Sequence, residues 1–233
     1  MFYTLPKKIQ LEASQAKWTL QSHQSLLVVL GLEALMLLPE WEKSEIYQNI
    51  TKIIRKAKAL DIPFIELKDH QDMTAMMRLG EQSNLRHQFI LAGYITPQTK
   101  YLLDYFAAMT SSIAVVNDAI YVQHLAQHVQ WIYTISHQKY HHLNCYTLMR
   151  LWSLSAPKHL ILSHKGIVLA IAEHLNLEPL EIDPNINLRL LGLDSVAMVS
   201  LVGLWRANGA DIDYDNFQQH CSVNQLLQIL LLQ

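Results

Sequence analysis

Leu190-Leu191-Gly192-Leu193-Asp194-Ser195-Val196 is the stretch on which the reading of this chain turns. Segments with apolar residues at helical intervals flank it, Ile167 to Leu175 before and Val196 to Trp205 after. Ser195 therefore falls at or beside a helix N-terminus, with Asp194 directly before it. Two readings compete. In the first, either side chain caps the unpaired N–H groups of the first helical turn. In the second, Ser195 carries chemistry; the pattern alone favours the cap, since short motifs of this kind arise often by chance. No His or Lys adjoins Ser195, which argues against a nucleophile activated inside its own domain. Gly192 can relax the backbone just before the turn.

The flanking residues decide between them. Asp183-Pro184-Asn185-Ile186-Asn187-Leu188 leads into the motif, Gly209-Ala210-Asp211-Ile212-Asp213-Tyr214 follows it, and Val223 to Leu230 forms a last apolar helix. With this spacing, residues from about 158 to 233 resemble a thiolation (carrier) domain of non-ribosomal peptide synthesis. The Asp194-Ser195-Val196 core and the segment from Trp205 to Asp211-Ile212-Asp213 look most like aryl carrier domains of catecholate siderophore systems. The resemblance implies an all-α four-helix domain over 159–233. It implies 4′-phosphopantetheine esterified to Ser195, within a motif that also includes Gly192, Leu193 and Asp194. The arm would hold an aryl acid, such as a 2,3-dihydroxybenzoate-like group, as a thioester. Asp194 would either help hold a metal–cofactor complex during loading or complement the helix dipole. A phosphopantetheinyl transferase, an aryl-acid adenylating ligase and a condensation domain are the implied partners. Val199, one turn beyond Ser195, and Tyr214 are candidates for the docking face. Val199 fits a core position equally well, whereas the Asp neighbours of Tyr214 imply exposure.

Composition sets the bounds. The chain has 233 residues, 51% hydrophobic and 16% charged, enough for one large or two modest domains with sizeable cores. The net charge of −2 gives no general attraction to nucleic acid. It is unevenly divided: residues 1–157 carry 14 basic and 12 acidic groups, residues 158–233 carry 4 and 8. An acidic small domain suits steering towards basic partner surfaces. Cys145 and Cys221 form no framework, which fits a reducing cytoplasm. The first residues lack the apolar run of a signal peptide, and no apolar run is long enough for a membrane span.

Upstream, apolar runs alternate with helical patterns. Ser25 to Leu30, Pro63 to Leu67, Gln88 to Gly93 and Ser112 to Asn117 read as strands, with His142 to Tyr146 as an edge. Ser44 caps a helix reaching about Leu60, with Ile46, Ile50, Ile53, Ile54 and Ala57 on one face and Lys and Arg opposite. Thr96-Pro97 reads as the start of a helix reaching about Met109, and 121–135 as another. Residues 69–87 have no clear assignment. The pattern predicts a parallel α/β sheet domain over 1–152, ending in a linker at 153–158.

This order resembles the isochorismatase fold, as in bifunctional isochorismatase–aryl carrier proteins. Trp18-Thr19-Leu20 before the first strand, Phe89 to Ile95, and Val115-Val116-Asn117-Asp118-Ala119 carry the resemblance. The departures bear on function. Gly31 stands where the family has its catalytic Asp, and glycine cannot transfer a proton. Glu33 follows two residues later. Lys68 ends the second strand, with nothing to place it in the family's lysine role, and 69–88 is too short for the family's long loop and further strand. Thr99 occupies a position where relatives vary between Cys and Gly. The expectation is therefore no catalytic residue: a degenerate, shortened isochorismatase-like domain serving docking or dimerisation. A still-active isochorismatase fused to a carrier domain is the alternative, and a scaffold that is never primed is a third reading. His124, His128, His137, His141 and His142 invite a metal reading, but no acidic or Cys partner stands at a metal spacing. They read as a solvated polar face. Lys52, Arg55, Lys56 and Lys58 likewise read as a solvated helix face, not a nucleic-acid patch.

Overall fold

The computed structural model describes residues 2–5, 16–68, 72–97, 99–110, 112–136 and 140–231. The chain divides into two compact units, Met1–Ser155 and Ala156–Gln233. The first contains strands β1 (Ser25–Leu30), β2 (Phe64–Leu67), β3 (Gln88–Tyr94), β4 (Ser112–Tyr121) and β5 (His141–Leu143). They form one parallel sheet in the order β2-β1-β3-β4-β5. Every residue of β1 is buried, as a continuous apolar run requires when both faces of a strand are covered.

Among the described residues, six α-helices accompany the sheet: α1 (Leu32–Met36), α2 (Glu45–Ala59), α3 (Met73–Ser83), α4 (Thr99–Met109), α5 (Leu125–Ser136) and α6 (Cys145–Ser155). Leu79 of α3, Phe106 of α4 and Ile132 of α5 share one core with Val28, Leu91 and Val115 of the sheet. Helices α2 and α6 pack against β4 and each other. The Ser44 cap is present: its hydroxyl accepts the Tyr47 N–H at 3.1 Å. Ile46, Ile50, Ile53 and Ala57 are buried as expected, but so is Lys56 at 3% exposure. Only Lys58 of the four basic side chains is exposed, so the solvated basic face is smaller than the pattern implied.

Several boundaries moved. The unassigned stretch holds α3, capped by Asp72, whose carboxylate accepts the Ala75 N–H at 3.0 Å. Helix α4 starts at Thr99, beyond the Thr96-Pro97 signal. Strand β4 runs on to Tyr121, because a register shift between Leu91 and Gly93 lets Ile120 and Tyr121 pair with Gly93 and Tyr94. Helix α5 consequently begins at Leu125. Cys145 and Tyr146 open α6 instead of ending the edge strand, since the Asp118 carboxylate accepts the Cys145 N–H and Asn144 that of Thr147, both at 2.7 Å. Helix α6 continues to Ser155, which leaves only Ala156 and Pro157 irregular before the next helix.

The second unit contains α7 (Lys158–Ile161), α8 (His164–Leu175), α9 (Ser195–Ala207), α10 (Tyr214–Gln219) and α11 (Val223–Leu231). The expected four helices are there, preceded by the single turn of α7. Ile167, Ile171, Met198, Leu201, Trp205, Phe217 and Leu226 are fully buried. No helix among the described residues is long and apolar enough to cross a membrane.

Candidate functional site

The turn before α9 is held from inside. Leu188 is fully buried, and its N–H donates to the Cys221 carbonyl at 2.7 Å. The Leu193 N–H returns to the Leu188 carbonyl at 3.0 Å. Leu193 is itself 3% exposed, so it anchors the turn and offers no surface to a prosthetic group. Gly192 has a φ of +102°, which L side chains rarely adopt, and nothing lies within 4 Å of where a Cβ would be.

Asp194 and Ser195 divide the two uses that sequence reasoning set in competition. Asp194 is the N-cap, its carboxylate accepting the Ala197 N–H at 2.7 Å. Ser195 is the first residue of the helix, is exposed, and has no hydrogen-bond partner among the described residues. Its hydroxyl is therefore free for chemistry.

An apolar surface borders that hydroxyl. Leu190, Val196 and Val199 are 83%, 76% and 58% exposed. The core reading of Val199 fails. Tyr214 is half-buried at the start of α10, beside Asp213, which caps that helix at 2.7 Å from the Asn216 nitrogen. Sequence reasoning missed Leu190 and Val196. The signal was that Val196 and Val199 share a helix face with Ser195 and Ser200, away from Met198, Leu201 and Trp205. Much of the acidity of this unit serves local structure. Glu178 and Glu181 form a capping box, and Asp183 accepts the Asn185 N–H at 2.9 Å.

In the first unit, Gly31 lies just beyond β1 with a φ of +56°. A Cβ there would come within 3.2 Å of the Tyr94 Cβ, so the position resists the family's Asp on two counts. Glu33 meets Lys68 at 2.6 Å, with both side chains more than half exposed. The Glu33 hydrogen bond and charge hold the Lys68 ammonium above the usual lysine range. This is a surface ion pair, open to solvent on both side chains. Thr99 opens α4, and its side chain lies outside the described residues.

The carboxyl edge of the sheet is instead lined with aromatic rings. Phe2 packs against Trp41 and Tyr121 at 5.7 and 5.0 Å between centroids, and Tyr94 against Tyr121 at 5.3 Å. Tyr3 stacks on Tyr121 at 5.9 Å. Its hydroxyl oxygen accepts the Val122 N–H at 3.2 Å and lies 2.7 Å from Nδ1 of His128. His128 is fully buried, which corrects the solvated-face reading for that residue. Burial lowers its pKa and that of His142. His142 pairs through Nδ1 with Asn117 at 3.2 Å, and His141 through Nε2 with the Trp18 carbonyl at 2.7 Å. His124 is exposed ahead of α5, and His137 lies outside the described residues. No group of three or more metal-ligating side chains comes together among the described residues. Both cysteines are buried, and burial pushes the Cys221 thiol up.

Comparison with known proteins finds likenesses to phosphopantetheine-bearing and acyl carrier proteins. A family model described as a phosphopantetheine attachment site matches residues 165–230. An acyl carrier protein, ScoB, from Streptomyces coeruleorubidus is 37% identical over 60 residues, covering 26% of this chain and 71% of that protein.

Proposed function

Since the chain belongs, through its second unit, to the phosphopantetheine-bearing carrier proteins, with 4′-phosphopantetheine as its covalent prosthetic group, we propose that Ser195 is the attachment residue. The carrying observation is the exposed hydroxyl at the first position of α9, without a hydrogen-bond partner among the described residues and inside the matched segment. The group fits there. A phosphodiester on Ser195 would stand at the positive end of a 13-residue helix, where backbone dipoles favour an anion. Asp194 would keep the cap, and the space around Gly192 is open. Bound to serine, the arm supplies a terminal thiol that forms thioesters. The protein's own part is to present it on a rigid end, with Leu190, Val196 and Val199 as the apolar surface that partners grip. Incubation with coenzyme A and a phosphopantetheinyl transferase, read by intact mass, tests this. Wild type should gain one phosphopantetheine and Ser195→Ala none; equal modification of both would refute the assignment.

Carrier domains work with phosphopantetheinyl transferases and with synthetase domains. More specifically, we propose an aryl carrier protein of a siderophore assembly line. An aryl-acid adenylating ligase charges it with a 2,3-dihydroxybenzoate-like acid, and a condensation domain unloads it in the cytoplasm. Support comes from the likeness of Asp194-Ser195-Val196 and of Trp205 to Asp213 to aryl carriers. The first unit acts in this reading as an isochorismatase-like domain without catalysis, kept for docking or for forming a homodimer. The strained Gly31 position supports that reading. Isochorismate hydrolysis by the whole protein should stay at background; turnover well above it would favour the active-hydrolase alternative.

A further inference from the structure

We propose that the aromatic cluster at the carboxyl edge of the sheet in the first unit is a binding site for a small phenol, in which Tyr3 stands in place of the ligand. In open α/β sheets, ligands sit beyond the carboxyl ends of the strands, where successive connections part to opposite sides. Here they part between β1 and β3, since the strand order is β2-β1-β3-β4-β5. Tyr94 ends β3 and Tyr121 ends β4, so the rings that meet at 5.3 Å line the ground beside that point.

The polar groups there are matched to one functional group. The Val122 N–H points at the oxygen it serves from 3.2 Å, and Nδ1 of His128 lies 2.7 Å from the same atom. His128 is fully buried, and burial disfavours its charged form; with the ring proton on Nε2, its bare Nδ1 accepts the hydrogen bond from the hydroxyl. One donor and one acceptor on a single oxygen, above a stacked ring, select a neutral phenol. A carboxylate has no proton for Nδ1, and a plain arene leaves both groups unpaired. Tyr3 satisfies every one of these demands. Its hydroxyl is held in the protonated form, with its pKa pushed up to about 12 chiefly by burial. Beyond the ring contacts of Phe2 and Tyr3 and the two hydrogen bonds of the Tyr3 hydroxyl, this segment is tied among the described residues by a 3.4 Å hydrogen bond from the Leu5 N–H to Glu45. A free phenol can reproduce what Tyr3 does and compete with it.

The test uses the whole protein, 4-cresol as ligand and toluene as the analogue without the hydroxyl. Affinity is read by calorimetry and location by the His128 imidazole resonances. Tyr3→Ala should bind 4-cresol, shift those resonances, and prefer it over toluene by at least about tenfold, because a site built for a hydroxyl rejects the analogue lacking it. Wild type should bind 4-cresol at the same place but more weakly, since Tyr3 competes. Equal affinity for 4-cresol and toluene, equal affinity in wild type and Tyr3→Ala, or no binding to the variant each overturns the proposal. If Tyr3→Ala is unfolded on its own, refolding on addition of 4-cresol but not toluene supports the site, and failure to refold overturns it. Priming of Ser195 is a separate readout, so this proposal and the carrier assignment can fail independently.

Discussion

Asp194 and Ser195 are adjacent, yet they differ in what their loss should cost. Asp194→Ala removes the cap of α9 and should lower the stability of the second unit by about 1 kcal/mol in a denaturant titration. Ser195→Ala removes a hydroxyl with no partner among the described residues and should stay within about 0.5 kcal/mol of wild type. Gly31→Asp should destabilise the first unit by about 1–2 kcal/mol, the scale of a left-handed conformation forced on an L side chain, without creating isochorismate turnover. His128 carries a pH dependence. Its folded pKa lies below the unfolded value of 6.5, so the unfolded chain binds the proton more readily. Stability of the first unit should be full above pH 6.5 and fall as the pH drops through the folded value. Tyr3 works from the other side. Its pKa is raised from 10.0 to about 12, so its contribution persists below pH 10 and is lost as the pH climbs through 12. Thermal melts of wild type and Tyr3→Phe across that alkaline range should converge at its upper end.

Among the elements, α9 was the most legible, because its buried positions repeat at helical spacing and Asp194 marks its start. Its outer face was read less fully. Val199 was identified as a docking candidate, but Leu190 and Val196 escaped notice, since exposure of an apolar residue is set by packing that a single chain does not spell out. Aspartate at Val196 or Val199 should leave the fold intact, because neither side chain is in the core, and should slow thioester transfer to a condensation partner. Tyr214→Ala should leave priming of Ser195 unchanged while slowing that downstream step; unaltered rates for both would remove Tyr214 from the docking face. Helix α6 was hidden for a different reason. Its buried residues Cys145, Leu148 and Trp152 have a readable period, but one of the groups that start it, the Asp118 carboxylate, is 27 residues away. Helix α3 buries only Ala75 and Leu79 and exposes Met73 and Met77, so its apolar pattern points to no single face.

For the whole molecule, both units announced their class through strand and helix periods, and the second also announced its chemistry through a motif. The first unit did not. Its aromatic cluster is assembled from residues as far apart as Tyr3 and His128, and no local pattern records that meeting. Trp152 shows how long-range its core is: fully buried, it donates from Nε1 to Ser25 at 3.0 Å. Trp152→Ala should cost about 3–5 kcal/mol and melt the first unit while leaving priming of Ser195 measurable on the second.

The division of labour at the start of α9 has one more consequence. Because the carboxylate, and not the hydroxyl, secures the helix, esterifying the serine withdraws nothing from the fold. Blank, armed and laden forms of the protein should then melt at nearly one temperature. A courier whose own integrity is indifferent to its freight can be filled and emptied through many turnovers without being worn down by the traffic.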